Sequence, residues 1–215
     1  MTEAEHERRT EAGRERRART RAKIVAAAFE IFGSEEGLFT RIEDIASVAG
    51  VTRATFYNHF NNMADLREAV SYEVTHDFLQ WVNATTSRLD DPRERASTAI
   101  RLYLRRARED RRWAWSMVNI SANGIVFGAE TYRQAERTVA EGMDAGLLRI
   151  RSSALGRDLV LGTVLAAVST LLRGESAPDY PELVAGHILM GMGVSFQEAR
   201  TIANRALPEL HLTQV

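Results

Sequence analysis

A chain of 215 residues with 28 Lys and Arg against 29 Asp and Glu carries a formal charge of −1, so it is no polycation, and nucleic-acid binding would have to come from local charge. With 45% hydrophobic and 27% charged residues it has the make-up of a soluble globular protein with one good core or two small ones. Cysteine is absent, which excludes disulfides, thiolate catalysis and Cys-based zinc sites, and the five histidines (6, 59, 76, 187 and 211) show no ligand spacing, so neither a metal nor a cofactor is expected.

Residues 1–18 alternate Glu and Arg with almost no apolar residue and read as a charged arm, either disordered or a frayed helical extension. Acidic residues among the arginines distinguish this N-terminus from a secretory signal or transit peptide, and a cytoplasmic protein is expected. Arg14, Arg16, Arg17, Arg19, Arg21 and Lys23 form the main basic concentration, opposed there only by Glu15. From Thr20 the pattern turns amphipathic, with Ile24, Ala27, Ala28, Ile31 and Phe32 on one face of a helix ending near Gly33. The SEEG segment that follows reads as a loop.

Thr40–Phe60, TRIEDIASVAGVTRATFYNHF, reads as two short helices around a tight turn. Thr40 is placed as an N-cap, with Glu43 able to reach back to its N–H. Ile42, Ile45, Ala46 and Ala49 recur at helical spacing, and Gly50 follows where a left-handed residue ends a helix. Thr52 caps the next helix, in which Val51, Ala54 and Phe56 are apolar. Such a pair is either an ordinary helical hairpin or a helix-turn-helix unit, whose second helix enters the DNA major groove N-terminus first. In the second case Arg53 can bond guanine O6 and N7 together, or else hold a phosphate or stay solvated. Thr52 and Thr55 suit a phosphate or a thymine methyl, and Ala54 is small and outward. Phe56 and Phe60 are assigned to the core.

Asn62 caps a long helix with Asp65 in its first turn, running to about Thr86 with Leu66, Val70, Val74, Phe78 and Trp81 or Val82 as its buried stripe. Asp90-Asp91-Pro92 is the clearest break. Helices are expected over about 93–109, 113–122, 131–144, 155–173, 181–192 and 196–207, with a turn at Asn123-Gly124 and breaks at Gly146, 174–178 and 193–195. No segment alternates with period two, so the chain is all-α. Arg101, Arg105, Arg108 and Arg112, with Arg106 and Arg111 beside them, are expected on a solvated face laced with Glu109 and Asp110. Leu159–Leu172, LVLGTVLAAVSTLL, is apolar nearly all round and must be buried on both faces, in a monomer core or against a second copy. It is too short to span a bilayer comfortably, and no membrane partner is expected. Gly162, Ala166 and Thr170 at four-residue spacing would let another helix approach closely.

The pieces RTRAKIVAAAFEIFGSEEGLFT, RIEDIASVAGVTRATFYNHF and NNMADLREAV together resemble the N-terminal DNA-binding domain of the tetracycline-repressor-like (TetR-like) transcriptional regulators, over about the first third of the chain. The resemblance implies a charged arm (1–18), a three-helix DNA-binding domain (19–63) and a helical ligand-binding and dimerisation domain (64–215) joined by the long fourth helix. It implies a regulator rather than an enzyme: a homodimer through 157–173 and 181–193 that binds a palindromic double-stranded DNA operator, is released by a small-molecule effector and acts as a repressor. By the same resemblance Tyr57 and His59 contact phosphate or groove, Asn58 joins them, and Thr40 and Arg41 set the second helix on the backbone. A pocket for an apolar or aromatic effector would draw on Phe78, Trp81, Tyr103, Trp113, Met117, Asn119, Asn123 and Phe127. One position departs from the family pattern: Met63 stands where a lysine usually follows the cap of helix four, which predicts one phosphate contact fewer per half-site. The N-terminal arginines could offset it along the backbone or in a minor groove, or be a solvated tail. Two other classes compete, a helical protein-interaction module and a helical-bundle enzyme. Against the enzyme stand the missing cysteines, the lack of a His/carboxylate motif and the lack of a phosphate loop.

Overall fold

The computed structural model describes residues 3–121, 127–174 and 176–208, with side chains from residue 9 onward except at position 74. Its helices are α1 (Glu3–Phe32), α2 (Ile42–Val48), α3 (Arg53–Tyr57), α4 (Met63–Thr86), α5 (Pro92–Glu109), α6 (Arg111–Ile120), α7 (Gly128–Asp144), α8 (Ser153–Arg173), α9 (Tyr180–Gly191) and α10 (Phe196–Ala203). No strand occurs among the described residues, and the fold is all-α.

α1 starts far ahead of the amphipathic stretch, so the arm from residue 3 to 18 is helix. Arg, Glu and Ala are good helix formers, and Arg19 pairs with Glu15 one turn earlier at 3.3 Å. Side chains 9–19 are all exposed, which is why apolar periodicity gives no sign of this helix. At 30 residues, α1 is about 45 Å long.

The segment read as a loop after α1 is a 3-10 turn, Glu35–Phe39. Thr40 closes it by donating its hydroxyl to the Gly37 carbonyl at 2.8 Å. The cap of α2 is therefore Arg41 rather than Thr40, and its N–H is taken by Asp44 at 2.9 Å instead of by Glu43. Thr52, Asn62, Asp91 and Ser152 each accept a backbone N–H from the first turn of the helix they cap, while α6, α7 and α8 begin two or three residues ahead of their expected starts.

Ile24, Ala28, Phe32, Ile45, Phe56 and Leu66 are fully buried where α1 packs on α2, α3 and the start of α4. Burying each of the larger ones contributes about 1.5–3 kcal/mol. α5 runs through the middle of the larger part, packed by α4, α6, α7, α8, α9 and α10. α8 buries Val160, Leu161, Val164, Val168 and Leu171 but leaves Leu155, Gly162 and Ala166 exposed, so one chain alone does not bury both faces. Among the described residues α8 is long and apolar enough to cross a membrane, but half of its apolar window is buried in the protein.

The arginine stripe is only in part the expected solvated face: Arg105, Arg106 and Arg108 of α5 and Arg111 and Arg112 of α6 are exposed, but Arg101 is not. Arg101 is 4% exposed. Its Nε and Nη2 donate to Glu182 of α9 at 3.1 and 3.0 Å, and its Nη1 to the Arg205 carbonyl at 2.8 Å. Arg105 reaches the same Glu182 oxygen at 2.9 Å, and Arg108 donates to the carbonyls of Ala177 and Pro178, each at 2.8 Å. Arginine buries its stem along apolar surface while its fork ties carboxylate and carbonyls together, so these charges are the seam between α5 and α9. The expected pairing within the stripe survives at Arg106–Asp110, 2.9 Å apart.

Candidate DNA-reading surface and regulatory cavity

Gly50, at φ +64°, turns the chain out of α2, and the Thr52 hydroxyl accepts the Thr55 N–H at 3.1 Å to start α3. Phe56, fully buried, anchors that five-residue helix and fixes which side faces out. Thr52, Arg53, Ala54, Tyr57 and Asn58 are exposed, while Thr55 and His59 are half-buried. Arg41 is exposed at the start of α2, and Thr40 is half-buried with its hydroxyl donated to Gly37. All nine residues singled out for DNA thus lie in α2, α3 and their flanks, seven of them consecutive save for Phe56.

Arg53 is not loose in solvent. Its Nη1 lies 2.8 Å from Glu43 of α2, and its guanidinium sits over the Tyr57 ring at 5.6 Å. The hydrogen bond with Tyr57 and the charge of Glu43 hold its pKa above the ordinary arginine value. Such an exposed pair holds the side chain along the helix face without fixing it there. Arg17 of α1 donates to the Asn58 carbonyl at 3.1 Å, and Arg21 stands over the Phe60 ring at 5.2 Å. Burial, with Arg17 and then Arg21 nearby, lowers the His59 pKa below the usual histidine value, so its ring is neutral near pH 7. Arg17, Arg21 and Glu43 therefore belong to this surface. The four-residue spacing of Arg17 and Arg21 was the available signal for the two arginines.

α6 is docked on the corner after α1. Asn119, 1% exposed, donates its amide to the Phe32 and Ser34 carbonyls at 2.9 and 2.8 Å. A Cβ on Gly37 would stand 2.7 Å from that amide and 2.8 Å from the Phe32 Cα, so only glycine fits. Arg112 covers the Phe29 ring at 4.9 Å. Expected to face a ligand, Asn119 instead joins the two halves of the molecule.

A cavity of about 70 Å³ lies between α4, α5, α7 and α8. Tyr103 and Phe127 line it, as expected, but most of its wall is aliphatic, including Leu79, Val82, Ile100, Val160 and Val164. Phe78, Trp81, Trp113 and Met117 are not part of that wall. Phe78 packs edge-on to Tyr103 at 4.9 Å and to Trp113 at 5.4 Å, forming an aromatic layer behind the cavity with Trp81 beside it. Met117 and Trp113 are core, and Asn123 lies outside the described residues. The Tyr103 hydroxyl bonds Thr131 at 3.1 Å, and burial pushes its pKa well up, so it stays protonated. A larger hollow of about 300 Å³ lies between α9 and α10, beside exposed Leu183, His187 and Phe196. No group of His, Asp or Glu able to hold a metal ion occurs among the described residues.

Two family profiles match this sequence: one described as bacterial regulatory proteins, tetR family, over residues 24–70, and one as tetracyclin repressor-like, C-terminal domain, over residues 91–205. The chain belongs to the TetR family. Similar proteins, both from Pseudomonas putida, include the probable HTH-type transcriptional regulator ArpR, 42% identical over 73 residues, and the HTH-type transcriptional regulator TtgR, 41% identical over 73 residues. Each alignment covers 33% of this chain and about a third (35%) of the relative. Over nearly the full length the fold is similar to that of RolR, solved in complex with resorcinol, at TM-score 0.72 and 26% identity, covering 91% of this chain and 98% of RolR.

Proposed function

We propose that this TetR-family chain is a DNA-binding transcriptional regulator, a repressor that holds a palindromic operator as a homodimer and lets go when a small molecule fills the cavity behind α4. The observation that carries this reading is the outward row Thr52, Arg53, Ala54 and Tyr57 on a capped helix whose inner side is anchored by Phe56. In it, Arg53 leaves Glu43 to read a base, Thr52 and Thr55 take a phosphate or a thymine methyl, and Tyr57, Asn58 and His59 hold the backbone with Thr40 and Arg41. Because Arg17 touches the end of this helix, the exposed arginines of the α1 extension lie where they can follow the flanking phosphates. Residues 19–63 then form the reading domain and 64–215 the regulatory one.

Dimerisation is supported by the apolar stripe left open on one chain. Leu155, Gly162 and Ala166 of α8 and Leu183 of α9 are exposed, a Cβ on Gly162 would meet nothing, and a second copy would cover them. RolR with its resorcinol supports a small-ring effector, and the relatives' regulator names support a cytoplasmic site of action on DNA. A mobility-shift titration with the DNA upstream of its own gene tests the reading. The wild type should bind at low salt and Arg53→Ala should bind that site about tenfold or more weakly while losing base preference. No binding by the wild type at low salt would defeat the proposal.

A further inference from the structure

Among the described residues lining the cavity between α4, α5, α7 and α8, one is charged, Arg95, and that guanidinium is already engaged. Its Nη1 donates to the carbonyls of Leu89 at 2.9 Å and Asp90 at 3.1 Å. Its Nη2 is paired with the carboxylate of Glu141, which reaches over from α7. The other polar lining is neutral: the Thr86 and Thr138 hydroxyls donate to the Val82 and Gln134 carbonyls of their own helices, which leaves free hydrogen-bonding capacity in two places. One is the Tyr103–Thr131 hydroxyl pair, whose oxygens can each take another hydrogen bond. The other is the pair of half-buried side-chain amides of Asn83 and Gln134, which bond to no other group among the described residues.

Size narrows the occupant further. A cavity of about 70 Å³ is smaller than the roughly 150 Å³ space known to admit benzene, so one ring is the upper limit and its entry requires the walls to move apart. A carboxylate on that ring would have to take Arg95 from Glu141. The freed Glu141, whose side chain is 48% exposed, would then remain as a like charge beside it, and the ligand carboxylate would lose solvent. A hydroxyl meets no such opposition. Resting on the effector reading above, we infer that this cavity selects a small uncharged aromatic compound with two hydrogen-bonding groups, and that the Arg95–Glu141 clasp turns away the corresponding carboxylate. Discrimination of this kind comes from a repulsive element placed against the wrong ligand as much as from contacts with the right one.

Calorimetric titration of the full chain with resorcinol, phenol and 3-hydroxybenzoate at about pH 7.5 tests this, since phenolic hydroxyls are then protonated and the carboxyl ionised. Resorcinol should bind about fivefold or more tighter than phenol and at least about tenfold tighter than 3-hydroxybenzoate. Glu141→Gln should shift the ratio toward 3-hydroxybenzoate by about tenfold, and adding Arg95→Met to it should remove that gain. The double variant makes the readout depend on the cation, which a general loosening of the mouth would not do. Equal binding of resorcinol and 3-hydroxybenzoate to the wild type, or an unmoved ratio in Glu141→Gln, overturns the selectivity while leaving the effector role of the cavity standing. Failure of all three probes to bind a protein that still shifts its upstream DNA overturns both.

Discussion

Two arginines illustrate how far the meaning of a single side chain depends on its neighbours. Arg53 was readable because its place, directly after a cap that begins a helix on a tight turn, defines which way it points. Arg101 was not, because a charge at helical spacing looks the same whether it meets water or a carboxylate from a helix 81 residues away. Burial alone would raise the Glu182 pKa, but the bonds from Arg105 and Arg101 outweigh it and hold the carboxyl below its ordinary value of 4.5. Its contribution to stability is therefore fully present above about pH 4.5 and is lost as pH falls through the lowered value. Glu182→Gln should cost about 3 kcal/mol near neutral pH, the low end for breaking a buried pair. In urea unfolding the gap between variant and wild type should narrow toward about pH 3; a gap that stays constant with pH would contradict the role given to this carboxylate. Asn119 was equally hidden, since no periodicity tells that an amide will cross to the Phe32 carbonyl.

Helices were legible where their ends obey local chemistry. Thr52, Asn62, Asp91 and Ser152 cap as their side chains allow, and Gly50 takes the left-handed turn its lack of a side chain permits. The two misplacements have separate causes: the first half of α1 is held by helix propensity and the Arg19–Glu15 pair rather than by an apolar face, and Thr40 is diverted to the 3-10 turn that precedes α2. At the start of α4, Met63 is half-buried against the core, just after the Asn62 cap. A cation there would stand beside the positive end of the helix. Met63→Lys should therefore steepen the dependence of operator affinity on salt by about one phosphate per half-site. An unaltered slope would mean that this helix end lies away from the DNA backbone, and the docking of α3 would need revision.

On the scale of the whole molecule, the layout of a small reading bundle, a long connecting helix and a larger helical body was accessible from the pattern of apolar residues and breaks. The cavity was not, because it is a gap between four helices rather than a property of any one, and its aliphatic lining carries no mark in the sequence. Of the aromatic residues expected at the pocket, Phe78, Trp81 and Trp113 form the layer behind it. One element joins cavity to DNA surface: α4, which lines the one and leads into the other, while the Asn119 bonds from α6 fasten the larger part to the corner after α1. A ligand shifts this arrangement by no more than its difference in affinity for the DNA-holding and DNA-releasing states. Operator binding of the proposed kind requires two copies reading one face of the duplex. Hydroxyl-radical footprinting on the upstream DNA examines that directly. Two protected half-sites about 34–36 Å apart are predicted for the wild type, both lost together when Ala166→Arg disrupts the exposed face of α8. A single protected patch, or two patches that persist in Ala166→Arg, would contradict it.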